Sequence, residues 1–100
     1  ADFINAVVEI KTALKPDELL LKLQALEKLH NRKKTRRWGP RSIDLDILIY
    51  DKLIMDTKKL TIPHPGVKYR EFVLLPLYEI TGYGYEIPLY GKITNLIRRI

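Results

Sequence analysis

Between Ile43 and Tyr50 the chain alternates, with Ile43, Leu45, Ile47 and Ile49 set against Asp44, Asp46, Leu48 and Tyr50. A half-buried β-strand satisfies that period and a helix does not. The two acids therefore share a face. Two residues of strand separate their Cα atoms by roughly 7 Å, a distance at which two carboxylates repel by about 2 kcal/mol at an effective dielectric of 20. A cation between them removes that cost. Paired hard oxygens suit Mg²⁺, which takes one or two protein carboxylates and fills its octahedron with water and phosphate oxygens. Taken alone, Asp-x-Asp is more simply a surface strand whose acids pair with nearby arginines.

What precedes the strand tips the balance toward a phosphate site. Arg32, Lys33, Lys34, Arg36, Arg37 and Arg41 stand within ten residues with no acid among them, and the other twelve bases of the chain are offset by twelve acids. The formal net charge of +6 thus comes from one stretch. It holds Trp38-Gly39-Pro40, an aromatic plate followed by a hinge residue and a stiff one, as a loop that closes on phosphates would use. Arg41 is then expected to make its contact mainly in the closed state.

Length and composition bound the rest. One hundred residues, 46% hydrophobic and 30% charged, suffice for a single domain or part of one. No stretch approaches the eighteen or so apolar residues of a membrane span, and no charged leader precedes an apolar run and cleavage site, so a cytoplasmic protein without a membrane partner is expected. The absence of cysteine removes disulfides, thiol catalysis and zinc–thiolate sites.

Along the chain, Phe3 to Ile10 reads as a strand with Phe3, Asn5, Val7 and Glu9 on one face. Pro16, Asp17 and Glu18 open a helix whose stripe of Leu19, Leu20, Leu23, Leu26 and Leu29 is expected in the core, and which should end near His30-Asn31, leaving His30 at the surface. Asp51-Lys52 reads as a tight turn into a short hairpin of Leu53-Ile54-Met55 and Leu60-Thr61-Ile62. Pro63-His64-Pro65-Gly66 breaks regular structure, and His64 by itself is a turn residue. From Val67 to Ile80, Phe72, Val73, Leu75, Leu77 and Ile80 are expected to be mostly core, with Pro76 limiting any helix to two short pieces. A short strand at Tyr85-Glu86-Ile87, a turn through Pro88 to Gly91 and a helix from Thr94 complete the reading.

Three motifs in order carry a resemblance: Trp38-Gly39-Pro40-Arg41-Ser42-Ile43-Asp44-Leu45-Asp46-Ile47, then Leu60-Thr61-Ile62-Pro63-His64-Pro65, then Arg70-x-Phe72-Val73-Leu74-x-Pro76-Leu77-x-Glu79-Ile80. Together they resemble the 6-hydroxymethyl-7,8-dihydropterin pyrophosphokinase family of the folate pathway. The resemblance implies an α+β fold, the C-terminal part of a ferredoxin-like sandwich with an antiparallel sheet, as a fragment of a larger pyrophosphokinase domain lacking a preceding strand, helix and strand. The hundred residues alone are then expected to show no measurable transfer and to self-associate.

It also implies transfer of pyrophosphate from MgATP to the hydroxymethyl group of the pterin, giving AMP and the pterin diphosphate. Asp44 and Asp46 would hold two Mg²⁺ ions, with Asp46, Arg41 and Arg32 in catalytic roles. Arg32, Lys34, Arg37, Arg41, His64 and Arg70 would bind ATP, and Phe3, Asn5, Trp38 and Phe72 the pterin. The family commonly has Gly where this chain has Asn31, so assignments from Arg32 to Arg37 hold to within one position. Other folate-pathway domains on the same polypeptide stay open. The rival readings are a nucleic-acid-binding module, with the basic run tracking a backbone, and a Mg²⁺-dependent nuclease; the acids just past Arg41 oppose the first.

Overall fold

The computed structural model describes residues 5–33 and 43–100, the side chains of Arg32 and Lys33 excepted. It is a small α+β structure with antiparallel strand pairs. Its contacts gather into two compact units, one within Ala13–Ile47 and the other made of Leu48–Ile100 with the described residues before Ala13.

In the first unit, helix α1 runs Pro16–Lys33, past the end expected at His30-Asn31, and His30 is half-buried. Its start follows the sequence signal: Asp17 and Glu18 occupy the first turn, and Glu18 Oε1 accepts the Lys15 N–H at 2.9 Å, one half of a capping box. The leucine stripe is only partly core. Leu19 is buried and Leu20 and Leu23 half-buried, whereas Leu26 and Leu29 are exposed, because a stripe is buried only as far as its own unit supplies facing apolar groups.

Residues 43–47 keep the expected alternation. Ile43, Leu45 and Ile47 are turned inward, Ile47 almost completely, and Asp44 and Asp46 outward. The stretch nevertheless has no ladder among the described residues, nor has 5–10. Alternation decides which side chains are buried, but a strand also requires a second backbone to pair with. Two side chains of α1 take part of that role: Glu27 Oε2 accepts from the Leu45 N–H at 2.6 Å and Asn31 Oδ1 from the Ile43 N–H at 3.3 Å.

In the second unit, the turn at Asp51-Lys52 closes with Leu53 N–H donating to the Tyr50 carbonyl at 3.0 Å. The expected hairpin follows, with β1 (Met55–Asp56) antiparallel to β2 (Thr61–Ile62), Met55 opposite Ile62 and Asp56 opposite Thr61. Its end is fastened by Thr57, whose N–H reaches the Leu60 carbonyl at 2.9 Å and whose Oγ1 accepts from the Leu60 N–H at 3.1 Å. After the cis Ile62-Pro63 bond, a 3₁₀ turn at Pro65–Lys68 leads to helix α2, Glu71–Thr81.

Helix α2 is continuous through Pro76, not two pieces. A proline inside a helix costs about 3 kcal/mol, while full burial of a leucine contributes roughly 2 kcal/mol, and α2 buries both Leu74 and Leu77. One uninterrupted helix also changes which residues are core: Leu74 and Leu77 face inward with Val73 half-buried, and Phe72, Leu75 and Ile80 are exposed. The helix stops at Gly82, whose N–H still donates to the Tyr78 carbonyl at 2.9 Å while its φ of 84° turns the chain out of the helix.

Strands β3 (Glu86–Ile87) and β4 (Gly91–Lys92) form a second antiparallel pair, and helix α3 covers Ile93–Arg98. The core of this unit is Val67, Leu74, Leu77, Ile87, Ile93 and Leu96, with Val7, Ile49 and Tyr85 among the partly buried residues packed on it. Burial pushes the Tyr85 phenol above its ordinary pKa. Among the described residues no helix is long and apolar enough to cross a membrane.

Candidate functional site

The site residues fall into two groups. In the first, Asp44 and Asp46 project together from the outward side of the segment tied to α1. No hydrogen bond or ion pair among the described residues occupies either carboxylate, and the neighbouring arginine side chains lie outside those residues. No cluster of three or more His, Cys, Asp or Glu residues occurs among the described residues. Two exposed carboxylates with no third such ligand among the described residues fit Mg²⁺, whose remaining coordination comes from water and phosphate oxygens, better than a structural metal enclosed by protein.

In the second group, His64 and Arg70 bracket the 3₁₀ turn. His64 is its N-cap: the Gly66 N–H donates to His64 Nδ1 at 3.0 Å, and the His64 N–H donates to the Leu48 carbonyl at 2.8 Å. A ring nitrogen that accepts a hydrogen bond carries no proton, so the neutral imidazole bears its proton on Nε2. His64 thus caps the turn through Nδ1, which leaves Nε2 as its remaining donor.

Arg70 caps α2 through its backbone, its carbonyl accepting from Val73 N–H at 3.0 Å and Leu74 N–H at 2.9 Å. Its side chain is exposed, and its guanidinium carbon lies 6.0 Å from the ring centroids of both Tyr69 and Phe72. Those distances are at the outer limit of a cation–π contact. Planar, permanently charged and accessible, Arg70 can present a fork of N–H donors to an anion. Phe72 is 45% exposed in the first turn of α2.

Asn5 is exposed and has no ladder partner among the described residues. Phe3, Lys34, Arg37, Trp38 and Arg41, and the side chain of Arg32, lie outside the described residues. Sequence reasoning passed over Gly66 and Tyr69. A glycine next to a histidine signals only a turn, and Tyr69 carries no pattern that separates it from the chain's other tyrosines.

The family model for 7,8-dihydro-6-hydroxymethylpterin-pyrophosphokinase matches residues 1–82. The chain is 44% identical over 98 residues to the 2-amino-4-hydroxy-6-hydroxymethyldihydropteridine pyrophosphokinase of Haemophilus influenzae, a match covering 98% of this chain and 61% of that protein. With the enzyme of the same name from Aquifex aeolicus it shares 48% identity over 91 residues, 91% of this chain and 56% of the other. It is also 43% identical over 99 residues to a Lactococcus lactis protein named bifunctional protein FolKE, of which that match covers 28%. The chain thus spans between half and two thirds of the length of the two single-function relatives.

Proposed function

Since the chain belongs to the 7,8-dihydro-6-hydroxymethylpterin-pyrophosphokinase family, we propose that it supplies much of the metal and phosphate machinery of a cytoplasmic enzyme that transfers pyrophosphate from MgATP to 6-hydroxymethyl-7,8-dihydropterin. The observation that carries this reading is the pair Asp44 and Asp46, exposed together on one face, within a sequence that matches the family from residue 1 to residue 82. In the same reading the chain is one part of a ferredoxin-like α+β domain, and other folate-pathway activities can accompany it on one polypeptide.

The hydroxymethyl oxygen of the pterin attacks the β-phosphorus of ATP, the bond to the α-phosphate oxygen breaks, and AMP leaves. Such chemistry asks a protein chiefly for alignment and charge neutralisation. Asp44 and Asp46 would hold two Mg²⁺ ions, which when bound polarise the phosphates and the attacking hydroxyl. Asp46 takes the hydroxyl proton. Arg32, Lys34, Arg37 and Arg41 offset phosphate charge, and Arg70 adds its fork. Phe3, Trp38 and Phe72 stack on the pterin, whose donor and acceptor edge Asn5 reads with its amide.

His64 donates from Nε2 to a phosphate oxygen while Nδ1 stays engaged by the Gly66 N–H. The two functions separate by substitution. His64→Asn keeps an acceptor for Gly66 but loses the distal donor, so nucleotide affinity is expected to fall about tenfold at unchanged stability. His64→Gln keeps a distal amide and loses the cap, so stability is expected to fall by about 1 kcal/mol with affinity largely kept. Urea titrations beside ATP-analogue titrations read both, and equal behaviour of the two variants would refute the division.

The proposed activity is tested by titrating the protein with a non-hydrolysable ATP analogue, Mg²⁺ and pterin, and in parallel with an oligonucleotide. Mg²⁺-dependent analogue binding that is enhanced by pterin supports the pyrophosphokinase. Preferential binding of the oligonucleotide returns the basic run to nucleic acid, and its cleavage with Mg²⁺ would indicate a nuclease.

A further inference from the structure

Among the described glycines, Gly82 and Gly91 have φ of 84° and 94°, and Gly84 has open space where a Cβ would be. Gly66 differs from all three. It is buried and its φ lies outside the left-handed region, so its backbone does not call for glycine. Space does: a Cβ at residue 66 would stand 2.9 Å from Arg70 Nε, 3.0 Å from Cζ and 3.1 Å from Cδ. The end of the arginine lies flat across the glycine.

The same residue is bonded to both members of the His64 and Arg70 pair. Its N–H donates to His64 Nδ1 at 3.0 Å, and its carbonyl accepts from the Tyr69 N–H at 3.4 Å and the Arg70 N–H at 3.2 Å. With Tyr69 and Phe72 each 6.0 Å from the guanidinium carbon, Arg70 has a ring near it in each of two directions and a floor without a side chain.

We propose that Gly66 is a positioning residue for anion recognition: by lacking a Cβ it lets the Arg70 guanidinium lie against the turn that also orients His64, so that both donors are set out before the ligand arrives. This rests on the reading of Arg70 as a phosphate-binding residue. Preorganisation is where such a residue acts, since an arginine already held in place loses less side-chain entropy on binding. The three atoms nearest a methyl at position 66 all belong to the far end of a flexible side chain, so the fold should tolerate it while the guanidinium moves.

The experiment compares the protein carrying Gly66, Gly66→Ala, Arg70→Ala and both changes together, measuring ATP-analogue affinity with Mg²⁺, the thermal midpoint, and the Arg70 Nε–Hε resonance without ligand. Gly66→Ala is expected to shift that resonance and to weaken analogue binding about tenfold. In the Arg70→Ala background it should weaken binding no further. An unmoved resonance, or an equal loss of affinity in the Arg70→Ala background, overturns the proposal. A moved resonance with Arg70→Ala binding as tightly as the parent leaves the positioning intact and refutes the phosphate role of Arg70 instead. Should Gly66→Ala fail to fold, the double variant must fold, because the obstructing side chain is gone; if it does not, Arg70 is not the obstacle and the proposal fails.

Discussion

Replacing Asp46 with alanine in the protein that carries this sequence is expected, on the proposed function, to slow pyrophosphoryl transfer about a thousandfold while leaving the fold intact. The two halves of that expectation have separate causes. Asp46 is exposed and makes no hydrogen bond or ion pair among the described residues, so its loss is expected to leave folding intact; the inward side chain beside it, Ile47, is 7% exposed and is not altered by the substitution. In the proposed mechanism the rate depends on it, because a carboxylate assigned to hold a metal and take the hydroxyl proton would act where charge develops. Asp46→Asn keeps shape and loses charge, and should be nearly as slow. Asp44→Ala should also fall by orders of magnitude, through metal holding alone. AMP formation at saturating Mg²⁺ is the measurement, and near-normal turnover of Asp46→Ala with an unchanged urea midpoint would end the assignment.

The largest effect on stability is expected from Leu74→Ala, about 3 kcal/mol. Leu74 is fully buried in a cluster with Val67, Leu77, Ile87, Ile93 and Leu96, groups drawn from four separate segments that are poorly placed to collapse into the space left. Its neighbour Leu75 is 44% exposed, and Leu75→Ala should cost less than about 1 kcal/mol. Adjacent leucines on one helix thus make an internal control, read by urea unfolding of the two variants side by side. Similar losses for both would mean that α2 is rotated from the orientation described, or broken at Pro76 as its sequence suggests.

That pair of leucines also shows where the sequence is legible. Proline content implies an interrupted helix, and a broken helix puts Leu75 and Ile80 among the core candidates; local propensity gives no hint that burying Leu74 and Leu77 outweighs one lost hydrogen bond. The acid-bearing stretch is the converse. Its alternation correctly separates Asp44 and Asp46 from Ile43, Leu45 and Ile47, since side-chain direction is a local property of extended backbone. Its pairing is not local, and no periodicity announces that Glu27 and Asn31 hold the amides of Leu45 and Ile43. In the same way the motif around His64 marks the residue but not its capping bond to Gly66. Types and faces can be read from a sequence, whereas partners depend on which distant groups the fold brings within 3 Å or so.

The contacts from α1 to the acid-bearing segment have a consequence for how this region tolerates insertion and deletion. Asn31 bonds to Ile43, and Glu27 to Leu45, so the stretch between them is tied to fixed points at both ends. Changing the number of residues between them by one or two alters the closure entropy only slightly, because each doubling of the connecting length costs about 0.6 kcal/mol. The acids need not move when it happens. Their segment is held to the helix by these two bonds, so on the proposed function the residues assigned to phosphate can vary in number and spacing, and selection can tune them, while the pair assigned to metal keeps its seat.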